Sequence, residues 1–152
     1  MKPSTTPNTV KVNFQETKKG KITATPIPDS ESFEFLPKFF GEGLEVRGEL
    51  QVYQFVERIS GGRGTQDWNF YMLSNGGFFM APDWDEAVHA TWSCNGFNDM
   101  LSPDAVGIFS TLLAIHLLAS ELQDERLVSH YYKLLDFAAV HPEATKIFRA
   151  ID

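Results

Sequence analysis

The strongest constraint in the sequence is a tight-turn signal, Asn75-Gly76-Gly77, set between two apolar runs. Asn and Gly tolerate the positive φ angles of short hairpin turns, so this tripeptide predicts a β-hairpin. The flanking runs, residues 68–74 and 78–81, are apolar at nearly every position and do not alternate with polar residues. A strand that is apolar on both faces must be covered on both faces. Other parts of the chain, or a partner, therefore have to cover this hairpin.

A long apolar helix is predicted after the strands. The tripeptide Ser102-Pro103-Asp104 is typical of a helix start. The Ser oxygen can accept orphan amides, Pro needs no hydrogen-bond partner there, and Asp favours the positive end of the dipole. The helix that follows, to about residue 121, is apolar on almost every side, which indicates burial. We expect this helix to cover one face of the aromatic hairpin.

Further elements are predicted on both sides of this unit. A third strand alternates through residues 87–93, and Asn95-Gly96 gives a second turn. Apolar residues at helical spacing predict a helix over residues 44–59 and another around residues 127–138, and Pro142 opens a short last helix. The predicted inward faces are Val46, Leu50, Val52, Tyr53, Val56 and Ile59 in the first helix, Leu127, Tyr131, Leu134 and Ala138 in the second, and Ile147 and Phe148 in the last.

The N-terminal part is less regular. Residues 10–15 and 22–27 are predicted to form a short strand or hairpin. Asp29 or Ser30 could cap a helix after them, and we expect Pro37 to confine that helix to its first turn or to split it.

Strands early and helices late in the chain indicate an α+β fold. We expect a small antiparallel sheet with an aromatic-rich hairpin, packed against a mainly C-terminal set of helices. With 152 residues, of which 43% are hydrophobic, the chain is large enough to bury one core. We predict a single domain over residues 23–152, preceded by a loose N-terminal segment, residues 1–22, with a possible short strand.

Charge and cysteine content exclude several classes of protein. The net charge is −7, with +4 over residues 2–21 and −9 over residues 29–104. Because neutralising phosphates requires clustered Lys and Arg, direct nucleic-acid binding is not predicted. The longest apolar window, residues 105–119, falls short of the ~20 residues that span a bilayer, and a lone Cys94 fits a reducing compartment. We therefore expect a cytoplasmic protein without a membrane segment.

Catalytic and metal-binding patterns are weak. Cys94 and His89 lie five residues apart on a predicted strand, which points them to opposite faces. The four histidines do not cluster at ligand spacing, and His116 is predicted to be a core side chain of the apolar helix. No G-x-S-x-G or H-E-x-x-H motif is present. An alternative is a small ligand-binding or hydrolase-like domain that uses the aromatic sheet as a pocket, which a buried polar cluster beside Cys94 or His89 would support.

Four segments of the chain form a recognisable set: "FLPKFFG", "DWNFYMLSNGGFFMAP", "NGF" followed by "MLSPDAVGI", and the ending "HPEATKIFRAID". Together they resemble the antirestriction proteins of the ArdB/KlcA type over roughly residues 23–152. One departure is Asn98-Asp99, where a glycine is common after "NGF". The resemblance implies a small cytoplasmic α+β protein of plasmids and other mobile elements that relieves restriction of incoming DNA by type I restriction-modification enzymes. It implies no catalytic residue, no cofactor and no enzyme activity.

Two routes to such an activity are open. DNA carries about one charge per ~1.7 Å of helix axis, whereas this chain has twenty acids diluted by thirteen bases, so mimicry of DNA by the whole molecule is not expected. A local acidic patch could instead bind a partner, or the chain could act indirectly on a protein that restriction needs. The partner would then be the type I enzyme or an associated host protein, bound by a monomer or a homodimer.

The candidate partner-binding residues are acidic. Residues 83–104 contain no Lys or Arg, and the candidates within them are Asp83, Asp85, Glu86 and Asp99. Asp152 is the fifth, because a helix C-terminus prefers a cation and this chain places a carboxylate there. The alternative is that these acids are solvated residues of turns and helix ends.

Substitution of Gly76 by Val is expected to lower the melting temperature, because a β-branched residue resists the positive φ that the turn requires. Thermal unfolding measures the effect. An unchanged melting temperature would show that the turn lies elsewhere.

Overall fold

The computed structural model describes residues 21–152, and the strand predicted over residues 10–15 lies outside them. In chain order the elements are β1 (Ala24–Pro26), a 3₁₀ turn (Asp29–Glu31), α1 (Ser32–Phe40), α2 (Glu45–Ile59), β2 (Trp68–Leu73), β3 (Phe78–Pro82), β4 (Val88–Trp92), β5 (Phe97–Leu101), α3 (Pro103–Leu122), α4 (Glu125–Val140) and α5 (Ala144–Ile151). The strands pair antiparallel and the longest run of helix follows them, so the predicted α+β class is confirmed.

The strands of the described chain form two antiparallel sheets. The first has the order β1-β2-β3, and the strand predicted within residues 22–27 is β1, at its edge. The third predicted strand, β4, does not join that sheet. It pairs with β5, which the sequence pattern did not predict. Asn98 and Asp99 lie in the middle of β5. Both residues are poor strand formers, so the sequence of β5 gives no clear strand signal.

Helix α3 lies at the centre of the fold, in contact with β3, β5, α2, α4 and α5. The Ser102 hydroxyl accepts the Ala105 N–H at 3.1 Å, and Pro103 is the first helical residue, as predicted. Within residues 21–152, α3 is the one helix long and apolar enough to cross a bilayer, and 67% of its apolar window is buried inside the fold. Burial of this extent is typical of the core helix of a globular protein.

The contact between α3 and β3 is unusually close. A Cβ placed on Gly107 would lie 2.5 Å from both the Met80 carbonyl oxygen and the Ala81 Cβ. One turn later, the Thr111 hydroxyl accepts the Met80 N–H and donates to the Met80 carbonyl, each at 3.3 Å. These bonds satisfy polar groups of strand β3 in the core, which would otherwise be costly to bury.

Both hairpin turns are attached to C-terminal helices by asparagine side chains. Asn75 accepts the Gly77 N–H at 3.0 Å and donates to the Lys133 carbonyl of α4 at 2.9 Å. Asn95 accepts the Phe97 N–H at 3.0 Å and donates to the Ala150 carbonyl of α5 at 2.8 Å. Each amide therefore fixes its own turn and ties that turn to a distant helix.

Helix α1 passes through Pro37, so the expected break at that proline was wrong. Proline has no N–H to donate to the carbonyl four residues earlier, which belongs to Phe33. Phe33 is 92% exposed, so water can take the place of the missing donor. The helix ends instead at Gly41, whose φ of +110° few other residues adopt.

Helix α2 buries a different face from the one predicted. Val52, Val56 and Ile59 are buried as expected, but Val46 is 70% exposed and Leu50 is 52% exposed. Gly48 sets this rotation, because a Cβ there would lie 2.5 Å from the ring of Phe40. The glycine lets Phe40 pack directly on the helix backbone and turns the two aliphatic side chains outward.

Two other predictions for the helices need correction. His116 of α3 is exposed and lies beside Tyr131, with ring centroids 5.7 Å apart and planes tilted by 49°, so it is not a core residue. Helix α5 begins at Ala144, two residues after Pro142. Ile147 is fully buried, and Phe148 is partly buried against the core.

Replacement of Gly107 by Ala is expected to destabilise the protein. In an exposed helix, alanine is more favourable than glycine by about 1 kcal/mol. Here the added methyl group would overpack against the backbone of β3, which cannot move away as a flexible side chain could, at a cost of about 1–3 kcal/mol. The matched control is Gly64→Ala, at a site with open space around it. Chemical unfolding of both variants tests this, and equal stability of Gly107→Ala and the wild type would contradict the close contact.

Candidate functional site

Three of the five predicted site residues lie in one exposed loop, residues 83–86, between β3 and β4. The Asp83 N–H donates to the Asp67 carbonyl at 3.0 Å, and the Asn69 amide donates to the Asp83 carboxylate at 3.3 Å. These bonds hold the start of the loop beside β2. We call Asp83, Asp85 and Glu86 the acidic loop; none of the ion pairs formed within residues 21–152 uses their carboxylates.

One base lies close to the acidic loop in space although it is distant in sequence. The guanidinium of Arg63 lies over the ring of Trp84, 4.7 Å from its centroid. Such a cation–π contact is worth about 0.5–1 kcal/mol at an exposed site. Residues 83–104 contain no Lys or Arg, but in the folded protein Arg63 places a positive charge beside the acidic loop.

Asp99 is already neutralised by the chain itself. Its carboxylate lies 2.8 Å from Arg149 and 3.6 Å from Lys146, both on α5. The pKa of Asp99 is lowered, first by the hydrogen bond from the Met100 N–H and then by these two cations. Its main effect is to hold α5 against β5.

Asp152 follows α5 and is exposed. Its N–H donates to the Phe148 carbonyl at 3.1 Å. Asp99 is thus bound to cations of α5, and Asp152 directly follows the last residue of that helix. No hydrogen bond or ion pair in the described chain connects them with the acidic loop.

A polar cluster that the sequence did not predict surrounds the start of α3. The Glu143 carboxylate accepts both the N–H of Ser102, at 3.0 Å, and its hydroxyl, and His141 Nδ1 accepts the Glu143 N–H at 3.0 Å. Burial raises the pKa of Asp104 and lowers the pKa of His141. Burial also raises the pKa of Tyr71, and the negative charge of Asp104 adds to that shift. The sequence predicts some of these residues to lie at helix boundaries. It does not predict that they contact one another, because that contact depends on how α5 packs.

This cluster joins separate elements of the fold. The Ser102 oxygen is engaged twice, as helix cap and as donor to Glu143, and no described hydrogen bond links it to His141. The Glu143 carboxylate that accepts this hydroxyl also accepts the Ser102 N–H, so it binds the start of α3 through both of its oxygens. The cluster therefore attaches the junction of α4 and α5 to the start of α3.

Cys94 and His89 do not form a site together. Cys94 is exposed in the turn after β4, with Arg58 Nη2 3.4 Å from its Sγ, so the alternation of a strand does not apply to it. His89 is exposed and hydrogen-bonds with Asn98. No group of three His, Cys, Asp or Glu in residues 21–152 is arranged to hold a metal ion. Both residues are exposed, so the buried polar cluster that would have supported the hydrolase-like alternative is not found at either of them.

Comparison with known proteins gives matches over most of the chain. The model of the antirestriction protein family matches residues 62–152. Antirestriction protein KlcA from Escherichia coli is 41% identical over 135 residues, which cover 86% of this chain and 95% of that protein. The uncharacterized protein YafX from Escherichia coli K12 is 36% identical over 137 residues, covering 87% and 89%.

A solved structure from work on the KlcA and ArdB proteins is also similar. It shares 40% sequence identity with this chain at a TM-score of 0.83, and the match covers 91% of this chain and 100% of that one. KlcA and ArdB are described as showing a novel fold, with antirestriction activity against type I DNA restriction systems in vivo but not in vitro.

Deletion of residues 150–152 is expected to lower the melting temperature, because Ala150 is fully buried and its carbonyl accepts the Asn95 amide. The control is Asp152→Lys, which changes an exposed side chain and is expected to leave stability within about 0.5 kcal/mol of the wild type. Thermal unfolding compares the two variants. A truncated protein as stable as the wild type would show that this end of α5 does not support the fold.

Proposed function

The chain belongs to the antirestriction protein family, and from that membership we propose that it relieves restriction of incoming DNA by type I restriction-modification enzymes. The chain spans nearly the whole length of its KlcA relative. The observation that carries the proposal is its likeness, at a TM-score of 0.83, to a structure from the work that reports this activity.

The activity acts through a protein partner or an indirect route. Activity of KlcA and ArdB in vivo but not in vitro supports this, because an inhibitor that blocked the enzyme alone would also act on the purified enzyme. A further cellular component is therefore part of the mechanism. The partner is the type I enzyme within its cellular context, or a host protein that restriction requires.

Mimicry of DNA by the whole molecule does not fit the surface charges. Several carboxylates are paired with bases of the same chain: Glu121 with Arg47 at 2.8 Å, Asp124 with Arg126 at 3.9 Å, and Asp99 with two cations of α5. A DNA backbone presents a regular array of unpaired negative charges, and these paired carboxylates do not form such an array.

The acidic loop is the proposed contact with a basic surface of the partner. Its three carboxylates are exposed, adjacent and free of ion pairs inside the described chain. Asp152 is a second proposed contact, and Asp99 contributes by orienting α5. Charged surface groups of this kind raise the association rate and specify the partner more than they add affinity.

No chemical step by the chain itself is needed for this function. Binding to a partner in the cytoplasm, where type I enzymes meet incoming DNA, is sufficient. The chain then needs neither a cofactor nor a catalytic residue.

Neutralising the acidic loop with Asp83→Asn, Asp85→Asn and Glu86→Gln is expected to reduce restriction relief about tenfold or more, because three attractive charges are lost together. Relief is measured as the plating efficiency of unmodified phage on cells that carry a type I enzyme. Melting temperature is measured alongside and is expected to stay unchanged.

The matched control is Glu31→Gln, Glu34→Gln and Glu42→Gln, which makes the same change of charge at three exposed acids elsewhere. Full relief by the control with reduced relief by the loop variant supports the assignment. Equal relief by both variants and the wild type would remove the acidic loop from the mechanism.

A further inference from the structure

A groove of about 360 Å³ runs between α2 and residues 63–68. Its lining includes Leu50, Tyr53 and Gln54 from α2, and Arg63 and Trp68 from the opposite side. The function proposed above does not use this groove. Tyr, Trp and Arg are also the residues most enriched among the strongest contributors to protein interfaces.

The aromatic wall of the groove is held in place. The rings of Tyr53 and Trp68 stack with centroids 4.5 Å apart and an interplanar angle of 17°. The Tyr53 hydroxyl donates to Glu49 at 2.9 Å, and burial raises its pKa. A wall fixed by stacking and a hydrogen bond loses little side-chain entropy when a partner binds.

The rim on the α2 side is apolar, and no other part of residues 21–152 covers it. Leu50 is 52% exposed and Val46, one turn earlier, is 70% exposed, and neither packs on another part of residues 21–152 as a core residue does. Gly48 produces this exposure by letting Phe40 pack on the helix backbone. The helix thus presents two aliphatic side chains, one turn apart, at the edge of an aromatic groove.

The acidic loop borders the same groove. Trp68 of the groove pairs with Pro82 across the sheet, immediately before Asp83. The Asp83 N–H donates to the Asp67 carbonyl, and Arg63 reaches from the groove to the ring of Trp84. The groove, which has aromatic and polar lining residues, and the acidic loop therefore form one continuous surface.

We propose that this surface docks a segment of the protein partner that presents an apolar side chain flanked by Lys or Arg. The inference rests on the proposed function and names the chemistry that its partner must offer. The apolar side chain enters between Leu50 and the Tyr53–Trp68 stack. The flanking cations lie against the acidic loop, which supplies the charge complementarity.

The test uses two opposite changes at Gln54, an exposed residue that lines the groove. Gln54→Arg places a long cation in the groove, where it blocks the space and repels a basic segment. Gln54→Glu keeps nearly the same shape and adds a favourable charge. Relief of type I restriction is expected to fall about tenfold or more with Arg, equivalent to about 1.4 kcal/mol, and to be retained with Glu.

A second pair of variants tests the apolar rim. Leu50→Gln is expected to reduce relief to a similar degree, whereas Leu117→Gln, an equally mild change on α3 at 42% exposure, is expected to leave it unchanged. Leu and Gln have similar helix propensities, so melting temperatures should match the wild type. Size-exclusion chromatography of the wild type and Leu50→Gln shows whether the groove instead holds a second copy.

The outcomes separate the two proposals. Wild-type relief by Gln54→Arg and Leu50→Gln, while the wild type itself relieves restriction, overturns the groove and leaves the proposed function standing. Absence of relief by the wild-type protein overturns the proposed function and the groove with it. If the wild type is a dimer and Leu50→Gln is a monomer, the groove binds a second copy of this chain, and the proposal that it docks a partner segment is overturned.

Discussion

The packing of α3 on β3 is the contact on which the rest of the structure depends. Gly107 brings the helix backbone against Met80 and Ala81, and Thr111 completes the hydrogen bonds of the same strand. With α3 fixed at this distance, α2, α4 and α5 all pack against it. Strand β3 of the aromatic hairpin is then covered on both faces by the chain itself, as Phe78 and Phe79, at 0% and 1% exposure, show.

Elements with strong local signals could be predicted from the sequence. The cap at Ser102, the apolar helix after it and the hairpin turn at Asn75 each rest on interactions within a few residues, and all three were found. The second sheet could not be predicted, because β5 contains Asn98 and Asp99 and is a strand only by virtue of its pairing with β4. Local propensity is a weak guide where tertiary pairing decides.

The buried face of α2 shows the same limit at the level of a single residue. Spacing alone favours Val46 and Leu50 as inward residues, since both lie on an apolar stripe. The choice is made by Phe40, which fits only against the glycine at position 48. The groove beside α2 escaped prediction for this reason, whereas the acidic loop was visible from its charge. The contact of Arg63 with Trp84, which joins the two, links residues far apart in the chain.

The segments that make the family recognisable are largely architectural. The asparagines of "NGG" and "NGF" fasten two turns to α4 and α5, and the glycine of "PDAVGI" admits the close contact with β3. Each of these groups makes its hydrogen bonds or contacts inside the fold. Two chains can therefore share the motifs, and with them the fold, while differing in what they bind. Gln54, Asp85 and Glu86, which we propose as partner contacts, lie outside these motifs, and the fold exposes them without needing them for stability.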